Sequence, residues 1–159
     1  MKAAAHAVDL PDKSLQDSFM SMRDALSNCL VLNTVAAART LVRKGDARFK
    51  PFGVTVQQFS LLAAIRFNPG EPVMSLAQKI QLDRTSLTRN LDLLERKGLV
   101  QRAADAVGNA RICELTKEGS VLLDQLLRVW QQAQSEISQG FTEDEADTYL
   151  RLAKDFADR

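Results

Sequence analysis

The 159-residue chain has one histidine, two cysteines, one tryptophan and one tyrosine, and each scarcity excludes something. With His6 alone, and near the chain start, a histidine-centred base or Ser-His-Asp triad has no partner set. Cys29 and Cys113 form no CxxC or CxxH spacing, which removes a structural zinc site and fits a reducing, cytoplasmic setting. No apolar run approaches the roughly 18 residues of a membrane span. Residues 1–18 carry Lys2, Asp9, Asp12, Lys13 and Asp17, so they read as a mobile tail without an apolar signal core. No glycine-rich phosphate loop or metal cluster stands out, and the carboxylates Glu143, Asp144, Glu145 and Asp147 crowd a helix start, where the helix dipole accounts for them. Catalysis and resident cofactors are therefore not expected.

What is present is an ordinary globular composition, 45% hydrophobic and 26% charged, of a length suited to one domain. The net charge of +1 conceals an asymmetry. Residues 75–111 hold 7 basic and 4 acidic side chains, whereas residues 112–159 hold 5 basic and 10 acidic. A basic middle beside an acidic end is what one-faced anion binding would leave.

Helical periodicity dominates. Phe19, Met22, Leu26, Leu30, Ala37 and Leu41 fall on one stripe, interrupted by Asn33, and Gly45, Pro51 and Gly53 should close that helix. Thr55 with Gln58 forms a capping box for a second helix, with Val54 placed to staple onto Phe59, and Asn68-Pro69-Gly70 stops it. Ser75 with Gln78 reads as another capping box, opening a short helix from Leu76 to about Ile80. Asp83 then caps a longer helix that Gly98 ends. Two helices so joined read as a helix-turn-helix.

Directly afterwards the period changes. Residues 99–103 and 110–115 are β-capable, with Gly108-Asn109 as the turn, which makes the motif winged. Thr116 caps a long helix with the stripe Leu122, Leu123, Leu126, Leu127, Trp130, Ala133 and Ile137. After Gly140, the Thr142/Glu145 capping box opens a last helix with Ala146, Tyr149, Leu150, Ala153 and Phe156 expected inward. The expected fold is mostly α with a small β-hairpin: a winged helix-turn-helix lobe over about 53–116, flanked by helices over about 19–47 and 116–157.

The helix after Asp83 presents Arg84, Thr85, Ser86, Thr88, Arg89 and Asn90 in its first turns, with Leu87 and Leu91 turned to the core. Arginine can fork onto guanine, asparagine can pair with adenine, and Ser or Thr can reach phosphates. Ser75 and Gln78, at the preceding helix start, are candidates to hold a phosphate with its exposed N–H groups.

These segments, GVTVQQFSLLAAI (53–65), SLAQKIQLDRTSLTRNLDLLERKGLVQR (75–102) and LTKEG (115–119), together resemble the MarR family of transcriptional regulators over roughly 28–140. The resemblance implies a homodimer with intertwined terminal helices, two lobes spaced for a palindromic operator in double-stranded DNA, and repression relieved by small phenolic or aromatic-acid ligands or by oxidants. The candidate DNA contacts are Ser75, Gln78, Arg84, Thr85, Ser86, Thr88, Arg89, Asn90 and Arg102, with Asn109 and Arg111 in the wing. The wing departs from the pattern. Where the family usually carries Asp-x-Arg, this chain has Val107-Gly108-Asn109, so the minor-groove arginine is missing at Asn109; either Arg111 takes over the contact or the wing touches only backbone.

For an effector, Asn33, Arg39, Arg43 and Arg66 are candidate anion partners, and Phe59, Phe67 and Trp130 candidate walls; core packing and surface ion pairs are the competing readings. Cys29 lies near the reactive position of the family's peroxide-sensing branch, but two residues early and without the tyrosine pair of that branch, so a buried inert thiol is the favoured reading. Two alternatives remain open: oxidant sensing through Cys29, and a winged-helix module that binds protein after losing its operator.

Overall fold

The computed structural model describes residues 21–103 and 111–158. The expected tail and the Gly108-Asn109 wing tip, Asn109 included, lie outside the described residues. The chain divides into two units at Arg43/Lys44.

In the first unit the expected continuous helix is broken. Helical residues Ser21–Ser27 bend by 45° into the next helix, α1 (Leu30–Phe49). The Asn33 side-chain amide spans the break, donating to the carbonyls of Ser27 at 2.8 Å and Cys29 at 2.9 Å. The residue that interrupts the apolar stripe thus satisfies backbone groups that a kink would orphan.

The second unit begins in the last turn of α1, which passes through a 3₁₀ turn (Lys50–Phe52) to Gly53, a left-handed residue at φ 71°. Helix α2 (Val56–Phe67) opens on the expected Thr55/Gln58 capping box, with both reciprocal bonds present. That box explains why Gln58 is polar and yet buried: its Oε1 accepts the Thr55 N–H at 3.3 Å. Asp46 adds a further cap from α1, accepting the Val56 N–H at 2.7 Å.

Helix α3 (Val73–Lys79) corrects the boundary expected from Ser75. It starts three residues earlier, with Pro72 at the N-cap, and Ser75 lies inside its first turn. Its hydroxyl donates to Glu71 Oε2 at 3.2 Å rather than capping the helix. Helix α4 (Arg84–Arg96) begins at Asp83 as expected and is followed by Gly98 at φ 67°. Strands β1 (Val100–Arg102) and β2 (Cys113–Leu115) pair antiparallel, Val100 opposite Leu115 and Arg102 opposite Cys113. Helix α5 (Lys117–Ser138) is capped by Thr116, and α6 (Glu143–Ala157) by the full Thr142/Glu145 box.

One core joins these elements. Leu61, Leu62, Leu76, Leu91, Leu94, Leu123 and Leu126 are fully buried, drawn from α2, α3, α4 and α5. Burial contributes about 1.5–3 kcal/mol for each of these leucine side chains. Helix α6 differs from expectation: Tyr149, Leu150 and Phe156, expected inward, are half exposed, so its apolar side is uncovered in the single chain. No single helix among the described residues is long and apolar enough to cross a membrane.

Candidate nucleic-acid interface

Helix α4 is held at its start by Asp83, whose carboxylate accepts the Ser86 N–H at 2.9 Å and the Ser86 hydroxyl at 2.7 Å. The backbone bond first and the hydroxyl second hold the Asp83 carboxyl below the usual aspartate range. The turn before it depends on Gln81 in the left-handed region, at φ 53°, and on Leu82 N–H donating to Ala77 O at 2.8 Å.

Leu87, Leu91 and Leu94 bind α4 to the core, and this fixes which side chains face out. Arg84, Thr85, Thr88, Arg89, Asp92 and Arg96 line one open groove of about 550 Å³ along its outer face. Their spacings of three, four and seven are those of a single helix stripe. Three guanidinium groups against one carboxylate make this face electropositive. Arg84, Thr85, Thr88 and Arg89 are where the sequence placed them. Arg96 lies beyond the first turns that the sequence singles out, and its place one heptad after Arg89 is the signal that puts it on the same stripe. Ser86 faces its own N-cap.

Asn90 is a correction. It is buried, not presented outward, and its amide donates to Ser86 O at 2.9 Å and Gln57 Oε1 at 3.4 Å. One helical turn separates it from Ser86, and that angle carries it onto α2.

Ahead of α4, Gln78 is exposed, while Lys79 Nζ reaches Glu71 Oε1 at 2.6 Å and Asn68 Oδ1 at 3.0 Å. Lys79, with Ser75 assisting, holds the Glu71 carboxyl below the usual glutamate range. In the wing, Arg102 is exposed on β1, whereas Arg111 turns inward onto α4, with Nη2 at 2.7 Å from Glu95 Oε2 and 3.6 Å from Asp92 Oδ1. The expectation that Arg111 substitutes for the missing wing arginine is not met by this placement.

The effector candidates lie in both units. Phe59 is a core residue, its ring 4.9 Å from that of Phe49. Arg66 faces Asp124 at 3.5 Å on the surface, and Phe67 and Trp130 are exposed. In the first unit Asn33 and Arg39 are exposed, and Asn33 is engaged with the backbone. Arg43, also exposed, donates to Thr40 Oγ1 at 3.5 Å. Cys29 is half buried, not buried as favoured, and Cys113 is buried, with desolvation pushing its thiol pKa up. No group of three metal-ligating side chains occurs among the described residues.

Two helices joined by a tight turn, an arginine-bearing second helix and a two-stranded wing match a known family. The MarR family model matches residues 52–111. A relative from Bacillus subtilis, the uncharacterised HTH-type transcriptional regulator YybA, is 32% identical over 117 residues, covering 72% of this chain and 77% of its own. The chain belongs to the MarR family of transcriptional regulators. Among solved structures it is similar to the Mycobacterium tuberculosis transcriptional regulator MosR in complex with DNA, at 33% identity and a TM-score of 0.68, covering 82% of this chain and 92% of that one. It is also similar to apo MarR from Escherichia coli, at 26% identity and a TM-score of 0.65, covering 80% and 96%. The MarR family is one of regulators, not of enzymes.

Proposed function

We propose that this MarR-family chain is a cytoplasmic, homodimeric repressor that binds a palindromic operator through the outer face of α4 and is released by a small aromatic or phenolic effector. The groove lined by Arg84, Thr85, Thr88, Arg89 and Arg96 carries the reading. Guanidinium forks suit guanine edges and phosphates, hydroxyls suit phosphates, and a helix of 13 residues set outward by its leucine seam can enter a major groove. Dimerisation supplies the second half-site. The uncovered apolar side of α6 supports it, because a face bearing Tyr149, Leu150, Leu152 and Phe156 gains by burial against a partner.

Effector release rests on the family membership. The experiment is selection of bound duplexes from a random pool, repeated with aromatic carboxylates and phenols added. An inverted repeat whose capture falls on adding such a compound is the expected result. Retention of no duplex overturns the DNA reading, and capture indifferent to every compound overturns the effector. Capture lost to peroxide in the parent but not in Cys29→Ser would instead favour the thiol.

A further inference from the structure

Arg111 is anchored by backbone as well as side chain. Its carbonyl accepts the Val73 N–H at 2.9 Å, at the start of α3, and its neighbour Ile112 bridges to Pro72. Its side chain crosses to the last turns of α4, where Glu95 and Asp92 stand three residues apart on one side of the helix. Asp92 also lines the groove with Arg84, Arg89 and Arg96. It is the single carboxylate in that lining, in the position to repel an approaching phosphate. Arg111 Nε and Glu95 Oε1 are buried without a hydrogen-bond partner among the described residues, so the pair is held at some cost in solvation.

We infer that Arg111 is a positioning residue for operator binding: it offsets Asp92 from behind the groove and fixes the wing base against α4, without itself touching DNA. This rests on the DNA reading proposed above. Free Asp92 would subtract from the field of three arginines. A cation 3.6 Å away, shared with Glu95, reduces that subtraction in part, so that Asp92 and Glu95 together leave one negative charge rather than two. Anchoring to Glu95 at 2.7 Å keeps the cation there.

A double-mutant cycle tests this on the full chain, with a duplex obtained by selection and affinity measured across a salt series. Arg111→Gln should weaken binding about tenfold at low salt, and the loss should shrink as salt screens Asp92. Asp92→Asn should change the parent less than about threefold, yet recover most of the loss in the Arg111→Gln background. Arg111→Lys, which keeps a charge beside Asp92, should stay within about threefold of the parent. Equal effects of Asp92→Asn in both backgrounds overturn the inference. With a salt slope lowered by about 0.9 per lobe, that additivity makes Arg111 a direct phosphate contact. A loss independent of salt and unrescued by Asp92→Asn also overturns it, leaving a packing role. If Arg111→Gln does not fold, Arg111→Lys and Arg111→Met are compared in its place, each with and without Asp92→Asn, since only the lysine keeps a charge beside Asp92. A parent that retains no duplex overturns the DNA reading and this inference together; a parent that binds but shows no coupling overturns the inference alone.

Discussion

Asp83 and Ser86 close a two-point clasp at the start of α4, one carboxylate accepting a backbone N–H at 2.9 Å and the same residue's hydroxyl at 2.7 Å. Both bonds favour the ionised form, and both sit where the helix dipole also favours negative charge. The groove arginines begin at the next residue, so the clasp sets where the electropositive stripe starts.

The clasp has a pH dependence of fixed sign. With its folded pKa depressed, Asp83 contributes stability that is present above the unfolded value of about 3.9 and is lost as pH falls through the folded pKa. Asp83→Asn keeps a competent cap and loses the titration. Thermal unfolding should therefore show the variant below the parent at pH 7, with the gap closing below about pH 4. A gap unchanged between pH 7 and pH 3 would place the stabilisation elsewhere.

Arg89 and Asn90 are adjacent in sequence and opposite in role. Arg89→Ala should cost about 1–3 kcal/mol of operator binding and relax preference at one position per half-site, with unfolding little changed. Asn90→Ala should lower stability by about 1 kcal/mol, from the lost bonds to Ser86 and Gln57, while the selected sequence stays the same. Duplex selection and thermal unfolding on both variants separate the two. Relaxed base preference in Asn90→Ala would return it to the interface.

That pair also shows how far the sequence could be read. The caps at Thr55, Asp83, Thr116 and Thr142 were legible because a capping residue declares itself locally, at Thr55 and Thr142 together with its N3 partner, and all four are present. The leucine seams were legible for the same reason, through period. Ser75 misled because the same Ser-x-x-Gln spacing fits a helix start, whereas Pro72 claims that position and Glu71 claims the hydroxyl. Asn90 misled because position within a turn does not reveal that α2 lies over that side. Arg111 could not have been placed from spacing, since its partners are 16 and 19 residues back on another element.

The uncovered side of α6 predicts association. The parent should sediment as a dimer at micromolar concentration, and Leu150→Glu/Phe156→Glu should sediment as a folded monomer with operator affinity sharply reduced. Both residues are about half exposed in the single chain, so a charge there costs the lobe little and an interface much. A folded parent monomer at that concentration would remove the dimer from the proposal.

Gly119 sits in the LTKEG segment that helped to mark the family, and its requirement is spatial. A Cβ at this position would lie 1.9 Å from the carbonyl oxygen of Leu99 and 2.9 Å from its carbonyl carbon. That oxygen already accepts the Thr116 N–H at 3.1 Å, and the Thr116 hydroxyl donates to Gly98 O at 2.6 Å while accepting the Gly119 N–H at 3.0 Å. The first turn of α5 is thus pressed onto the residue where α4 ends and the wing begins. Backbone, not a flexible side chain, occupies the space, so relief requires moving β1 or unwinding the turn. Gly119→Ala, favourable by helix propensity alone by nearly 1 kcal/mol, should instead destabilise by about 1–3 kcal/mol. Because the displaced strand also sets the wing base where Arg111 reaches Glu95, operator affinity measured on folded protein should fall as well. Ser120→Ala, one residue on and half buried, controls for a general effect of substitution in this turn and should leave both measurements near the parent. A Gly119→Ala protein as stable as the parent would mean that α5 can slide along the wing, and that the close approach is not what holds the two together.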